Sequence, residues 1–240
     1  MSTLVGPTLG SFLNICRAAS VLPVCQAFIL RGDKTCTLMG VSIATTKITD
    51  ILDVALCILC ALAMIYVAYR THSKYAAVGR SEMGILNLLY FCMLVVQIPS
   101  VGGWMTSQPE LTNAFFLWSS IIHTALIATT GWVLLLNGFV GFQLVTDGTP
   151  ASVYSIAVTA FLVFTGTGYV AADTVYGWTT VFAPGTNLVS LPLFALEFLV
   201  PVVAVLVYML CQVLLVYTQL SVRKPLRMFL SSPPFLLLLY

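Results

Sequence analysis

Few residues in this chain are of the types that do chemistry, and their spacing decides what they could do. The two histidines, His72 and His123, are far apart in sequence, and His72 stands among basic residues. His123 lies inside an apolar run, where an ionisable group is a functional candidate. No acidic residue stands at helical spacing from it, so a neutral, hydrogen-bonded histidine between helices is the expectation. Asp50 and Asp53 form an i, i+3 carboxylate pair at the start of another apolar run. They could hold an ion or a proton, but capping charges at the positive end of a helix are favoured. Cys57 and Cys60 have CxxC spacing, yet within a membrane helix such thiols act as small apolar side chains. Glu197 reads as an interfacial charge beside Pro192 and Pro201. Metalloprotease HExxH, hydrolase GxSxG and phosphate-binding P-loop patterns are missing from the sequence. The residues therefore suggest no catalytic site, no metal site and no cofactor.

The elements that would position these residues are membrane spans. Hydrophobic residues make up 60% and charged residues 8% of the 240 residues. A soluble domain carries about 25% charged residues, and a chain this poor in charge could not cover a water-facing surface. The apolar runs are continuous rather than alternating, which excludes a barrel and predicts an all-α polytopic membrane protein. The net charge of +2 with no basic stripe gives no reason to expect nucleic acid. A span of about 20 residues crosses a core of roughly 30 Å. Five spans are expected, near 50–69, 83–104, 111–136 and 151–172 and within Leu188 to Tyr217, the membrane part of the last beginning near Glu197. Trp118 and Trp132 suit the two aromatic belts of the third. Thr165, Gly166, Thr167 and Gly168 offer a small-residue packing face on the fourth. These spans form one bundle over 48–220, preceded by a segment over 1–47 and followed by a basic tail over 221–240.

Orientation follows from the basic residues. Arg70, Lys74, Arg80, Arg223, Lys224 and Arg227 flank two connections, while 105–110 and 173–187 hold no Lys or Arg. The positive-inside rule places the first two on the cytosolic side. The N-terminus is then lumenal, although Arg17, Arg31, Lys34 and Lys47 lie in it. Cys16, Cys25 and Cys36 cluster in that segment without CxxC spacing or a nearby histidine, so zinc is not expected. One disulfide among them is expected in an oxidising compartment, and the sequence does not choose the pair.

The connection Asn137 to Pro150, NGFVGFQLVTDGTP, is unusually apolar for a solvated loop. Gly138, Gly141 and Gly148 allow turns or close approach. Asp147-Gly148 reads as a turn, and Thr149-Pro150 as an N-cap with proline at the first helical position. We expect a compact cytosolic connector that fixes spans three and four against each other, with Phe142 packed rather than left in water.

HSKYAAVGRSEM, His72 to Met83, followed two spans later by NGFVGFQ and DGTP, resembles the fungal chitin synthase export chaperone family. The spacing ICRAASVLPVC, Ile15 to Cys25, and then Cys36, is also similar to that family's lumenal head. The resemblance covers residues from about 11 to Arg227. It implies a multi-pass protein of the endoplasmic reticulum membrane that binds a polytopic chitin synthase and assists its folding and exit. It does so without catalysis, in support of cell wall chitin. Ser73, Lys74, Gly79 and Arg80, with Asn137, Gly138, Gly141, Phe142, Asp147, Gly148 and Pro150, are then candidates for packing or client contact. The resemblance also implies about seven spans, whereas MFLSSPPFLLLLY after Arg227 is too short to cross and is broken by Pro233-Pro234. By that measure the chain reads as truncated. Two other classes remain open. A small-molecule transporter or receptor-like protein would need a polar cavity at mid-membrane. A lipid-modifying enzyme would need clustered histidines and acids. The sequence leaves the synthase isoform and the oligomeric state open.

Overall fold

The computed structural model describes Phe12, Ile15 and residues 41–43, 46–48, 51–73, 80–102, 109–142, 148–179, 181–182 and 190–219. Cys16, Cys25, Cys36, Lys74, Gly79 and Asp147 lie outside the described residues, and with them the expected disulfide. Phe12 and Ile15 are helical, and two short strands follow among the described residues, β1 (Val41–Ile43) and β2 (Thr46–Ile48), antiparallel with Val41 opposite Ile48. Their β-branched residues favour extended backbone. The rest is helical: α1 (Ile51–His72), α2 (Arg80–Gly102), α3 (Pro109–Val140), α4 (Pro150–Tyr176), α5 (Leu191–Phe194), a π turn (Ala195–Leu199) and α6 (Val200–Gln219). Among the described residues, five helical stretches are long and apolar enough to cross a membrane, as expected.

The third span is the axis of the bundle. Of its window 61% is buried, against 17–28% for the others. It packs against α2, α4 and α6, while α1 packs against α2. Leu52, Leu59, Leu62 and Tyr66 of α1, and Val202, Leu206 and Leu210 of α6, are exposed. In a bilayer these faces meet lipid, so their exposure carries no hydrophobic penalty. One core joins Val133 of α3 to Ile156 and Ala160 of α4, with Ile85, Leu86 and Leu89 of α2 against it. A second core joins Ile121, Ala171, Ala172 and Leu193 around Phe12 of the N-terminal segment. The Phe12 ring meets Phe194 edge-on at 5.8 Å and Phe198 at 6.2 Å.

Several span ends differ from expectation because polar residues stay helical when their side chains find partners nearby. Asn137 to Val140 is the last turn of α3, not loop. The buried Asn137 amide donates to the Val133 carbonyl at 2.9 Å. Asp173 belongs to α4, and its carboxylate accepts from the Thr179 amide at 2.5 Å and hydroxyl at 2.6 Å. Gly177, at φ 65°, then ends the helix in the left-handed region that glycine tolerates. The fifth span starts at Leu191, well before Glu197. Pro201 has no N–H for the Glu197 carbonyl, and the chain keeps its course through a π turn in which the Val200 N–H reaches Ala195.

Candidate functional site

The two sequence stretches that looked diagnostic meet at one carboxylate. Glu82, in the first turn of α2, is 0% exposed. One oxygen, Oε1, accepts the Gly148 N–H at 2.8 Å and the Ser152 hydroxyl at 2.9 Å. Each contact bridges more than sixty residues of sequence. Gly148 has φ 69°, which turns its N–H inward at no steric cost. Thr149 caps α4, its hydroxyl accepting from the Ser152 N–H at 3.3 Å, and Pro150 opens the helix as expected. The positive end of the α4 dipole thus lies against a buried carboxylate, an arrangement that offsets the cost of burying the charge. Oε2 has no hydrogen-bond partner among the described residues.

Within the expected connector, Val140 packs on the core shared with α4, and Gly138 and Gly141 approach a further helix. A Cβ at Gly138 would meet the Tyr208 ring at 3.2 Å and Cys211 at 3.6 Å, and one at Gly141 would meet Leu215 at 3.0 Å. All three neighbours are on α6. The glycines therefore seat the third span on the fifth, while the Val133, Ile156 and Ala160 core joins the third to the fourth and Glu82 ties the fourth to the second. Gly141 and Phe142 finish α3 through amide bonds to the Asn137 and Phe139 carbonyls at 3.2 and 3.1 Å. Phe142 and Val140 are half-buried, while Phe139 is exposed. Ser73 closes α1, its hydroxyl donating to the Arg70 carbonyl at 2.9 Å, and Arg80 is the first residue of α2.

The α3–α6 seam runs in steps of seven. A Cβ at Gly131 would meet the Pro201 Cα at 3.3 Å and Ala204 at 3.7 Å. Seven residues earlier on each helix, Thr124 hydrogen-bonds Glu197. Thr124, Gly131 and Gly138 therefore face Glu197, Ala204 and Cys211 in a parallel, heptad-like register. Glu197 is accordingly buried in the bundle rather than interfacial, because it shares a face with Ala204. His123 is buried between helices, but neither ring nitrogen has a hydrogen-bond partner among the described residues. Only half of the small-residue face on α4 is used. Thr167 is buried and a Cβ at Gly168 would lie 3.7 Å from Ala125, whereas Thr165 is exposed and a Cβ at Gly166 would meet nothing within 4 Å. Trp118 sits in an exposed aromatic row with Tyr176, at 5.7 Å, and Trp178, stacked on Tyr176 at 5.5 Å. Trp132 does not mark a second belt, since its indole nitrogen is buried. Cys57 is buried and Cys60 half-buried, both free thiols.

Sequence reasoning missed Glu82 and Ser152. Glu82 was the signal available: an acid inside the diagnostic stretch and one turn into an apolar span.

This is a multi-pass helical membrane protein whose diagnostic residues join helices to one another. The chitin synthase export chaperone family model matches residues 8–238, and the chain belongs to that family. It is 28% identical to the chitin synthase export chaperone of Coccidioides immitis, over 91% of this chain and 66% of that one. The Cryptococcus neoformans protein of the same name is 32% identical over 89% of this chain and 58% of its own. That of Gibberella zeae is 31% identical over 90% and 65%. The chain thus spans 58–66% of the length of these relatives. No solved structure matches it.

Proposed function

We propose that this chain is a membrane-embedded chaperone of the endoplasmic reticulum. It binds a polytopic chitin synthase, keeps it from aggregating and lets it leave in transport vesicles, in support of cell wall chitin. The observation that carries this reading is the junction at Glu82. Glu82 of the first distinguishing stretch takes hydrogen bonds from Gly148 of the second and from Ser152 just beyond it. These contacts build a rigid helical surface, as a protein that works by helix contact requires. The partner is chitin synthase within the lipid bilayer, and the chain itself carries out no catalysis. Polar residues of an unassembled client would be covered by partner helices at roughly 1–2 kcal/mol or less per hydrogen bond. Release then follows from competition with the client's own packing, with no ATP site needed.

A transporter would require converging polar groups at mid-membrane. Thr124, His123 and Glu197 are the groups that favour it. Against it, apolar Phe12, Ile121, Leu193, Phe194 and Phe198 pack together beside them. Affinity isolation of the tagged chain from fungal membranes tests the proposal. Chitin synthase should co-purify, and its absence while other membrane proteins are recovered equally with an unrelated bait would refute the reading.

A further inference from the structure

Unsatisfied polar atoms gather at one level of α3 and of the π turn packed on it. Thr124 hydrogen-bonds Glu197 between the two. Ser120 lies one turn before Thr124 on the same face, and His123 is its neighbour in sequence. Ser120, His123 and Glu197 are 2%, 4% and 7% exposed. The Ser120 hydroxyl, both His123 ring nitrogens and Glu197 Oε2 have no hydrogen-bond partner among the described residues. Polar groups left unpaired in a membrane interior are strongly disfavoured. Their concentration here, beside a π turn and Pro201, marks a place prepared for something that supplies hydrogen bonds.

We propose that this notch receives an amide or hydroxyl side chain from a membrane helix of the client, which deepens the chaperone reading and rests on it. Thr124 lies seven residues inside the span that begins at Leu117, about 10 Å below its edge. A visitor at that depth arrives from the bilayer, and membrane helices carry Asn, Gln, Ser and Thr there. The chemistry matches. A serine hydroxyl and an imidazole both donate and accept, a carboxylate oxygen accepts, and an amide offers both functions in return. Lipid is adjacent, since Ile122 and Leu199 beside the notch are exposed. Phe12, packed on Phe194 and Phe198, covers the neighbouring wall.

The test uses the full chain in phosphatidylcholine vesicles with fluorescent poly-leucine membrane peptides, binding being read by energy transfer. One peptide is all leucine, and the other carries a single Asn seven residues from one end. The Asn peptide should bind about tenfold more tightly, equivalent to about 1.4 kcal/mol. That preference should fall below about twofold in a Ser120→Ala/Glu197→Leu variant and survive in Glu197→Gln, which still hydrogen-bonds. An unchanged affinity for the all-leucine peptide verifies that each variant is folded. Equal binding of both peptides to the unaltered chain overturns the proposal and leaves the notch to structural water alone. A tenfold preference that persists in the double variant overturns it too. A chain that co-isolates with chitin synthase but shows no Asn preference keeps its function and loses this site. One that prefers Asn but never co-isolates keeps the site and loses the proposed client.

Discussion

Glu82 is the residue on which two distant parts of the chain depend. Its Oε1 takes two hydrogen bonds, one from the Gly148 backbone amide and one from the Ser152 hydroxyl. Replacing it with leucine strands the Gly148 N–H and the Ser152 hydroxyl, at about 1–3 kcal/mol each. Glutamine keeps an acceptor at the same place. Glu82→Leu should therefore lower the thermal midpoint of the detergent-solubilised protein markedly, and Glu82→Gln much less. Equal midpoints for the two would mean that the hydrogen bonds do not hold the junction. The sequence made the neighbourhood legible without the contact. Gly148, Thr149 and Pro150 announced a turn, an N-cap and a helix start, because these are local preferences of backbone and side chain. Which carboxylate would meet that helix start is a matter of tertiary arrangement. Glu197 was misjudged for the same reason: a single ionisable residue in an apolar run does not reveal which neighbour it faces.

Among the elements, the spans were legible and their partners were not. Hydropathy reports how long a helix can be in lipid, but lipid and protein are equally apolar neighbours, so it says little about which face meets which helix. Gly166 and Gly131 illustrate this, being alike in sequence and opposite in surroundings. A Cβ at Gly131 would press on the Pro201 backbone at 3.3 Å, whereas one at Gly166 meets nothing within 4 Å. Backbone cannot swing aside as a side chain can. Gly131→Ala should therefore destabilise by about 1–3 kcal/mol through overpacking, while Gly166→Ala should be neutral or stabilising by about 0.5–1 kcal/mol. Gly138→Ala falls between, because the Tyr208 ring at 3.2 Å can shift. Thermal unfolding of the three variants checks the order. A Gly131→Ala protein as stable as Gly166→Ala would remove the seam from the account. Helix ends were misplaced by a few residues wherever a polar side chain, as at Asn137 or Asp173, is satisfied within its own turn or just beyond it.

For the whole molecule, charge and topology meet in one expectation. Phe12 packs at the end of the bundle where α3 begins and α4 ends, opposite the Glu82 junction. An N-terminus in the lumen therefore puts the 173–187 connection there too, and the junction on the cytosolic side. A glycosylation acceptor in that connection, set clear of the bilayer on a short spacer, should be modified, and one between residues 73 and 80 should stay bare. The reverse pattern would invert the orientation. The family was legible from motifs alone, since paired stretches such as SKYAAVGR and NGFVGFQ are too specific for membrane composition to produce. The claim that matters most is that this bundle moves a chitin synthase out of the endoplasmic reticulum. The direct measurement is the share of chitin synthase held in that compartment in fungal cells lacking their own family member. Supplying this chain should lower that share, and the Glu82→Leu form should lower it less. A share that stays at the level of the deficient cells, with the chain inserted and folded in the membrane, would contradict the account.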